Sequence, residues 1–331
     1  MQSTFKIAAM ILLVFVARSA HATGFQYLTI SDDTGRPIEL GIWYPSDASA
    51  VPTTLGHVTQ TVAVDGGIKN DHLPLVIFSH GSEGCFCDRA DSAVALANAG
   101  FVAVSLTHPG DNYKEVDRDA LQILLNRPRQ ISRGLDYVTQ SWPGRVHLDI
   151  AKIGFYGCSA GGFTGLVLLG GVPDWKLFPL HCADDPTEGV CTEGIARLLS
   201  KPAAAAVPAS AWRHDPRIKA AVLASPGFAF SFDTTSLRSI TVPIELWGGS
   251  EDHVVPFASN AGYIQHYLPH VTAAHEVTNA QHYDFLQPCI DALRARLPDL
   301  CSDLPGFDRV AFQNTLNQSL VMFFKAELQG E

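Results

Sequence analysis

The chain has no cluster of lysine and arginine residues and little positive charge overall. It carries 23 Lys and Arg against 33 Asp and Glu, which gives a formal net charge of −10. Proteins that bind nucleic acid or anionic membrane surfaces through charge usually present a basic patch. The absence of such a patch argues against nucleic acid and anionic membranes as partners.

Long apolar segments are also absent after the first 22 residues. A membrane-spanning helix needs about 20 apolar residues, and no later stretch reaches this length. At the N-terminus, Lys6 precedes a shorter apolar run, and an Ala-His-Ala cleavage site ends at Ala22. We therefore predict a signal peptide over residues 1–22 and a secreted or periplasmic protein without stable membrane insertion. An uncleaved anchor is the alternative; a lipoprotein would carry cysteine where Thr23 stands.

Internal repeats and clear linkers are missing from the rest of the chain. Residues 23–331 are therefore predicted to form a single domain, a length that is ordinary for a large α/β enzyme. One interval, 171–216, is too long for a simple connection between elements. We interpret it as an insertion that either overhangs the active site as a lid or lies away from it.

Cysteine is scarce, with seven residues, but in an exported chain this number predicts disulfide bonds. The odd count leaves one thiol free, for which Cys158 is the preferred candidate. The cysteines that flank short segments are predicted to pair locally, as Cys182–Cys191 and Cys289–Cys301.

The remaining two cysteines, Cys85 and Cys87, are separated by one residue. They either pair with each other or find partners elsewhere. A Cys-x-Cys metal site is disfavoured because no second pair of cysteines or histidines has a suitable spacing. No metal and no other cofactor is predicted.

Apolar, β-rich runs alternate with helical spans along most of the chain. Strands are predicted at 25–30, 38–44, 75–78, 101–106, 152–157, 218–224, 242–248 and 273–278, with a polar loop from 45 to about 73. Helices are predicted at 88–99, 128–140, 160–169, 258–267 and 308–328, the last with core positions Phe312, Leu316, Leu320 and Phe323. This alternation predicts an α/β fold with a mostly parallel, doubly wound sheet flanked by helices.

The pentad Gly157-Cys-Ser-Ala-Gly161 follows one of these predicted strands and makes Ser159 the candidate nucleophile. On a strand-to-helix turn, the residues two before and two after such a serine must be small, because strand and helix approach closely there. Given average glycine usage, chance would supply the pentad in roughly one chain of this length in ten. A serine hydroxyl is also a weak nucleophile, so a histidine and an orienting acid are needed.

The candidate acid lies in the loop after the predicted strand at 242–248. Enzymes with this pentad place the acid and then the histidine after the serine in chain order. Asp252 is preferred to Glu251, because a short apolar run and a proline follow it as in hydrolases of this type. His253 is adjacent to the acid and therefore poorly placed to be its ring partner.

The candidate base is His282, which follows the last predicted strand. Asp284, two residues later, is interpreted as a cap or turn former. The competing histidines lie in or just after a predicted helix, or within a predicted strand: His266, His270 and His275.

An oxyanion needs two hydrogen-bond donors. One is the backbone N–H of Ala160, which follows the serine at a helix N-terminus. The other is assigned to the backbone N–H of Ser82 in the loop Ser79–Gly84; the alternative is that this glycine-containing loop forms only a turn. His80 is predicted to brace the loop rather than to transfer protons.

With these residues in place, the chain resembles α/β-hydrolases of the dienelactone-hydrolase-like group that includes platelet-activating-factor acetylhydrolases. The resemblance extends over most of residues 25–328 and is carried by Pro74–Gly81, Gly157–Gly162, Asp215–Ala220 and His282–Phe285. It implies the α/β-hydrolase fold and hydrolysis of carboxylic esters without a metal or organic cofactor.

Two departures limit what the resemblance implies about substrates. The insertion at 171–216, with its cysteines, lies where substrate selectivity would be set, and the nucleophile residue differs. Dienelactone hydrolases proper carry cysteine at the nucleophile position, where this chain has Ser159, so their lactone substrate is not inferred. We expect a small-molecule or lipid-like ester. A peptidase or thioesterase with the same three residues, and a non-catalytic binding protein, are the alternatives.

Overall fold

The computed structural model describes residues 22–192, 199 and 202–330. The predicted signal peptide lies outside the described residues except for Ala22, which begins the first strand. The strands are β1 (Ala22–Ser31), β2 (Pro37–Ser46), β3 (Val51–Leu55), β4 (Val58–Val64), β5 (Leu73–Ser79), β6 (Val102–Thr107), β7 (Asp111–Asn112), β8 (Glu115–Val116), β9 (Leu148–Cys158), β10 (Ile218–Ala224), β11 (Ile244–Gly249) and β12 (Val271–Val277).

Ten of these strands form one sheet in the order β12-β11-β10-β9-β5-β6-β2-β1-β4-β3. The neighbours from β12 to β6 are all parallel. The β1–β2 hairpin joins this region through an antiparallel pairing of β2 with β6. The central strands β5 and β6 are buried along their whole length because helices cover both faces of the sheet. The predicted mostly parallel α/β architecture is confirmed.

The α-helices connect the parallel strands and cover the two faces. They are α1 (Ala90–Asn98), α2 (Ala120–Gln140), α3 (Ala160–Leu168), α4 (Leu177–Asp184), α5 (Gly189–Thr192), α6 (Pro202–Ala205), α7 (Thr234–Arg238), α8 (Ala261–Gln265), α9 (Asp291–Arg296), α10 (Pro298–Cys301) and α11 (Arg309–Phe324), followed by a π-helical turn (Lys325–Gln329). Short 3-10 segments are Pro143–His147, Ala209–Ala211, Ala229–Ser231 and His282–Phe285. Helices α1 and α11 pack in one hydrophobic cluster, and α2 and α3 pack in the other on the opposite face. The four predicted core positions of the last helix are all buried.

Two sequence predictions about these elements are wrong. The stretch predicted as a polar loop contains the β3–β4 hairpin, which pairs Val51 with Val62 at its open end. Most of its side chains are polar and partly exposed, so the hairpin lacks the apolar alternation that marks a buried strand. The helix predicted to begin near 128 begins at Ala120, because Asp119 caps it by accepting from the N–H of Gln122 and Pro128 is accommodated inside.

Three disulfide bonds join all the cysteines except one. Cys182–Cys191 and Cys289–Cys301 pair as predicted. Of the two alternatives for the remaining pair, the structure has Cys85 bonded to Cys87. Cys158 is free and buried. Disulfides form and persist in oxidising compartments, and no helix in the described part of the chain has the length and apolar character to cross a membrane.

Candidate active site

Ser159 lies on the turn between β9 and α3 with φ of 56° and ψ of −120°. A positive φ is uncommon for a residue with a side chain, and such strain is characteristic of functional sites. Two hydrogen bonds hold the turn: the Ser159 N–H donates to the carbonyl of Ala224 at 2.9 Å, and the Ser159 carbonyl accepts from Gly227 at 3.0 Å. The partly exposed hydroxyl therefore stands at the carboxyl edge of the sheet.

The two glycines of the pentad permit this geometry. A Cβ on Gly161 would overlap the carbonyl oxygen of Ser79 at the end of β5, and a Cβ on Gly157 would overlap the carbonyl of Gly161. Because β5 and β9 are neighbours whose following helices lie on opposite faces, the sheet has a topological switch point between them. Ligand sites in open α/β sheets lie at such points.

The structure brings Ser159, His282 and Asp252 into one chain of contacts. The Nε2 atom of His282 lies 3.1 Å from Oγ of Ser159, and its Nδ1 atom lies 2.7 Å from Oδ2 of Asp252. His282 and Asp252 are 8% and 3% exposed. The three side chains come from the loops that follow β9, β11 and β12, so neighbouring strand ends deliver them to one edge.

The carboxylate of Asp252 is fixed in orientation by the backbone of its own loop. Its Oδ1 atom accepts from the N–H groups of Val254 and Val255 at 3.0 and 2.7 Å. The other oxygen is left for the ring of His282, which must then carry its proton on Nδ1. The unprotonated Nε2 can accept the hydroxyl proton of Ser159.

The alternative acid and bases do not join this arrangement in the described part of the chain. Glu251 has its carboxylate 3.5 Å from the Ser250 hydroxyl, and His253 is exposed. His275 stacks on Trp247 with ring centroids 3.9 Å apart. The two remaining candidates are exposed near the end of α8: His266 and His270.

The loop after β5 lies against the nucleophile turn. A Cβ placed on Gly81 would be 3.4 Å from Cβ of Ser159. Among the described residues, the amide N–H groups of Ser82 and Ala160 have no hydrogen-bond acceptor. These are the two N–H groups that the sequence predicts as oxyanion donors.

A buried ion pair lies under this loop. The guanidinium of Arg127 donates to the carbonyl oxygen of His80 and to the carboxylate of Asp111. The same carboxylate accepts from the N–H of Glu83 at 3.0 Å. Arg127 and Asp111 thus hold the backbone on both sides of Ser82.

Two neutral histidines extend the network. The N–H of His108 donates to Nε2 of His80 at 3.0 Å, so His80 carries its proton on Nδ1 and donates it to the carbonyl of the next residue, 2.5 Å away. His108 lies between the Ser79 hydroxyl and the Gln130 side chain, each at 2.8 Å. Burial, together with the nearby Arg127 charge, lowers the pKa of His80 to about 3 and lowers the pKa of His108 well below its ordinary value. His80 braces the loop as a neutral residue.

No protein-family model and no curated protein sequence matches the chain. Its structure is similar to that of a ferulic acid esterase from Streptomyces cinnamoneus, with a TM-score of 0.61 over 96% of this chain and 92% of that chain. The sequence identity is 14%. The chain has the α/β-hydrolase fold. The fold component of the predicted resemblance is therefore confirmed.

The turn that carries His282 is anchored by charged side chains. Asp284 caps the turn by accepting from the N–H of Gln281 at 2.7 Å and pairs with Arg309 at 2.9 Å. Burial raises the pKa of Asp284 to about 6. Asp284 is thus a cap rather than a partner of the His282 ring.

Sequence reasoning did not identify Arg89, which anchors the same turn from α1. Its guanidinium donates to the carbonyl of Phe285 at 2.7 Å and to the Gln313 side chain. Gln313 in turn donates to the carbonyls of Asp284 and Leu286 at 2.5 and 3.1 Å. No local sequence pattern marks Arg89, because its partners lie about 200 positions away in the chain.

The described part of the 171–216 insertion contacts the loop that carries Asp252. Glu188 accepts from the Ser259 hydroxyl at 3.0 Å and pairs with Nε2 of His181 at 2.7 Å. His181 stacks on Phe230 with centroids 3.7 Å apart. The Cys182–Cys191 disulfide ties α4 to α5 beside these contacts.

Proposed function

We propose that this α/β-hydrolase is an exported serine esterase that cleaves carboxylic esters through an acyl-enzyme on Ser159. The observation that carries the proposal is the unbroken contact from the Ser159 hydroxyl through His282 to Asp252, at 3.1 and 2.7 Å. This constellation recurs on unrelated folds wherever a serine hydroxyl attacks an acyl carbon.

In the first half of the reaction, Oγ of Ser159 bonds to the ester carbonyl carbon while Nε2 of His282 takes its proton. The carbonyl oxygen becomes an oxyanion, which the N–H groups of Ser82 and Ala160 stabilise. The tetrahedral adduct then expels the alkoxide, and His282 returns the proton to it. An alcohol leaves and the acyl group remains on Ser159.

In the second half, a water molecule gives one proton to His282 and bonds to the acyl carbon. Collapse of the second tetrahedral adduct releases the carboxylic acid and returns the proton to Ser159. Asp252 stays ionised and stabilises the imidazolium in both halves. Each step uses groups of this chain and water, so no metal or organic cofactor takes part.

Covalent labelling tests the nucleophile. A fluorophosphonate probe should attach to Ser159, as located by peptide mass spectrometry, and Ser159→Ala should abolish both labelling and ester hydrolysis. Ser82→Ala is a matched serine control, because the assigned donor is its backbone N–H and its labelling should persist. A label on another peptide, or none on a folded sample, would refute the assignment.

Carboxylic esters are the proposed substrate class for two reasons. The sequence resembles the dienelactone-hydrolase-like group, and the structurally similar protein is a ferulic acid esterase. Rates on p-nitrophenyl esters of increasing acyl length would show the size of the acyl site. Short-chain preference would fit a site closed by the 171–216 insertion, and tolerance of long chains would fit an open cleft.

A peptidase or a thioesterase would use the same side chains. A peptidase would cleave both amide and ester reporters, whereas an esterase would turn over only the ester at a comparable rate. A thioesterase would prefer acyl thioesters. The esterase proposal requires that oxygen esters be the best of the three classes. Tight ligand binding without turnover of any acyl substrate would instead indicate a binding protein.

Export and a single mature domain from Thr23 are part of the proposal. The three disulfide bonds support an oxidising destination. N-terminal sequencing of protein recovered from the periplasm or medium should begin at Thr23; an intact N-terminus at Met1 would contradict the predicted cleavage after Ala22.

A further inference from the structure

Four metal-ligating side chains converge outside the Ser159 site, at the tip of the β3–β4 hairpin. His57 in the hairpin turn faces Cys85, Cys87 and Asp88, which lie between the loop after β5 and helix α1. One ligand atom from each residue lies within 4.8 Å of all the others. The residues come from two separate segments, which is why no spacing in the sequence marked them.

Three distances in the cluster are close to the edges of a zinc-centred tetrahedron. Zinc–sulfur bonds of about 2.3 Å and zinc–nitrogen bonds of about 2.05 Å place sulfur and nitrogen roughly 3.6 Å apart. Nδ1 of His57 lies 3.3 Å from Sγ of Cys87 and 3.7 Å from Sγ of Cys85. Oδ1 of Asp88 lies 3.2 Å from Sγ of Cys85. The other ring nitrogen of His57, Nε2, lies 3.9 Å from Oδ1 of Asp88. The two sulfurs are bonded to each other and would have to separate to bind a metal.

The backbone brings the hairpin unusually close to these sulfurs. Gly56 has φ of +61°, and a Cβ there would lie 2.5 Å from Sγ of Cys87. Only glycine fits this position, and it sets the ring of His57 against the Cys-x-Cys segment. The side chain of His57 is 37% exposed and that of Asp88 is 14% exposed, whereas Cys85 and Cys87 are buried.

The disulfide does not satisfy the polar atoms that face it. Oδ2 of Asp88 accepts from the N–H of Cys85 at 3.0 Å. Oδ1 lies 3.2 Å from a sulfur that has no proton to donate once it is bonded, and 3.9 Å from Nε2 of His57. Nδ1 of His57 likewise points at two disulfide sulfurs, which are weak acceptors. A cation bound among the separated sulfurs would be a partner for both atoms.

We propose that His57, Cys85, Cys87 and Asp88 bind one Zn²⁺ when the Cys85–Cys87 disulfide is reduced. An external dithiol supplies two electrons and two protons and becomes a disulfide itself. Zinc then displaces the two thiol protons and bonds to both sulfurs, to the imidazole and to the carboxylate. Four protein ligands leave no open position, which is the arrangement of structural zinc sites.

The disulfide and the proposed zinc site connect different parts of the chain. The disulfide closes a ring within residues 85–87, whereas zinc ties the β3–β4 hairpin to the segment that follows Gly84. This inference does not depend on the proposed esterase activity, and zinc binding is measured directly.

The test compares oxidised and reduced full-length protein under anaerobic conditions. After reduction and removal of the reductant, Zn²⁺ is added in competition with a chromogenic chelator, and bound zinc is measured by elemental mass spectrometry. We expect about one zinc per reduced chain and less than a tenth of that on oxidised protein. The variant Cys182→Ser/Cys191→Ser removes another dithiol and should bind zinc as the wild type does.

Ligand variants identify the site. His57→Ala and Asp88→Asn should each weaken zinc binding at least tenfold, and Cys85→Ser/Cys87→Ser should abolish it. Reduced wild type that binds no more zinc than the double serine variant would overturn the proposal. Wild-type affinity in both His57→Ala and Asp88→Asn would also overturn it, since the thiols alone would then hold the metal.

A spectroscopic measurement on the wild type avoids variants that fail to fold. X-ray absorption of the zinc form should show two sulfur and two nitrogen or oxygen ligands. Four sulfur ligands would place the metal among other cysteines and refute the assignment.

Discussion

Arg127 donates to the main-chain carbonyl oxygen of His80 from the buried side of the loop that carries Ser82. Its second partner, Asp111, accepts from the backbone on the other side of that residue, at Glu83. Donors that are already oriented stabilise an oxyanion well, because they need not reorganise during the reaction. We infer that Arg127 positions the proposed donor at Ser82.

The variant Arg127→Lys should therefore lower kcat for ester hydrolysis by about 10–100-fold, with KM changed less than about twofold. A lysine keeps the charge but cannot bind the carbonyl and the carboxylate in the same fixed geometry. Steady-state kinetics on a p-nitrophenyl ester measure the effect. Arg129→Lys is the control. Arg129 lies on the same helix, is exposed, and among the described residues donates to the carbonyl of Ala211. Equal kinetics in both variants would contradict the positioning role.

The variant Asp252→Asn should reduce kcat by about 10³–10⁴-fold while the protein stays folded. Asparagine can donate to the ring of His282, which favours the tautomer whose Nε2 carries the proton and cannot accept one from Ser159. The neighbouring Glu251→Gln makes the same chemical change on a carboxylate that does not touch His282, and its kcat should stay close to wild type. If Glu251→Gln were the more damaging variant, the acid would be misassigned.

The sequence identified the candidate site because its chemistry follows predicted strands. Ser159, Asp252 and His282 each come shortly after one of them. In a parallel sheet the carboxyl ends of the strands share one edge, so side chains 123 and 30 positions apart in the chain were expected to meet there. The pattern thus predicted proximity without any knowledge of distances.

The supporting residues had no such signal. Arg127 lies in an amphipathic helix, where an arginine normally faces solvent, but its partners lie 16 and 47 positions away and make it buried. The hairpin that carries His57 was predicted as loop because edge strands with exposed polar side chains lose the apolar alternation. Long-range partners and edge strands depend on the packed structure, which local patterns do not encode.

His80 and His108, which lie under the loop after β5, should each make the folded protein less stable as the pH falls. In the folded protein the pKa of His80 is lowered to about 3 from an ordinary value of 6.5, and the pKa of His108 is also lowered. Below pH 6.5 the unfolded chain therefore binds protons that the folded chain does not, and stability is lost as pH falls. One proton bound by the unfolded chain and not by the folded chain changes the free energy of unfolding by about 1.4 kcal/mol per pH unit.

Urea unfolding of matched variants at several pH values between 6.5 and 5 tests this prediction. A comparison of variants is needed because Asp284, whose pKa burial raises to about 6, takes up a proton in the folded state over the same range and acts in the opposite direction. The variant His108→Gln should reduce the slope of unfolding free energy against pH, whatever its effect on absolute stability. His266→Gln is the control, since His266 is exposed. An unchanged slope in His108→Gln would show that His108 is not held neutral.

The thiol of Cys158, next to the proposed nucleophile, should be inert in the folded protein. The residue is buried, and burial raises the pKa of its thiol to about 12. Only the thiolate reacts with alkylating agents, so at pH 8 iodoacetamide should leave both Cys158 and ester hydrolysis unchanged. The same peptide should be alkylated after unfolding in urea, as mass spectrometry would show. Rapid alkylation of the folded protein with parallel loss of activity would instead show that Cys158 takes part in the reaction. Full activity in the variant Cys158→Ala would leave Ser159 as the nucleophile on this turn.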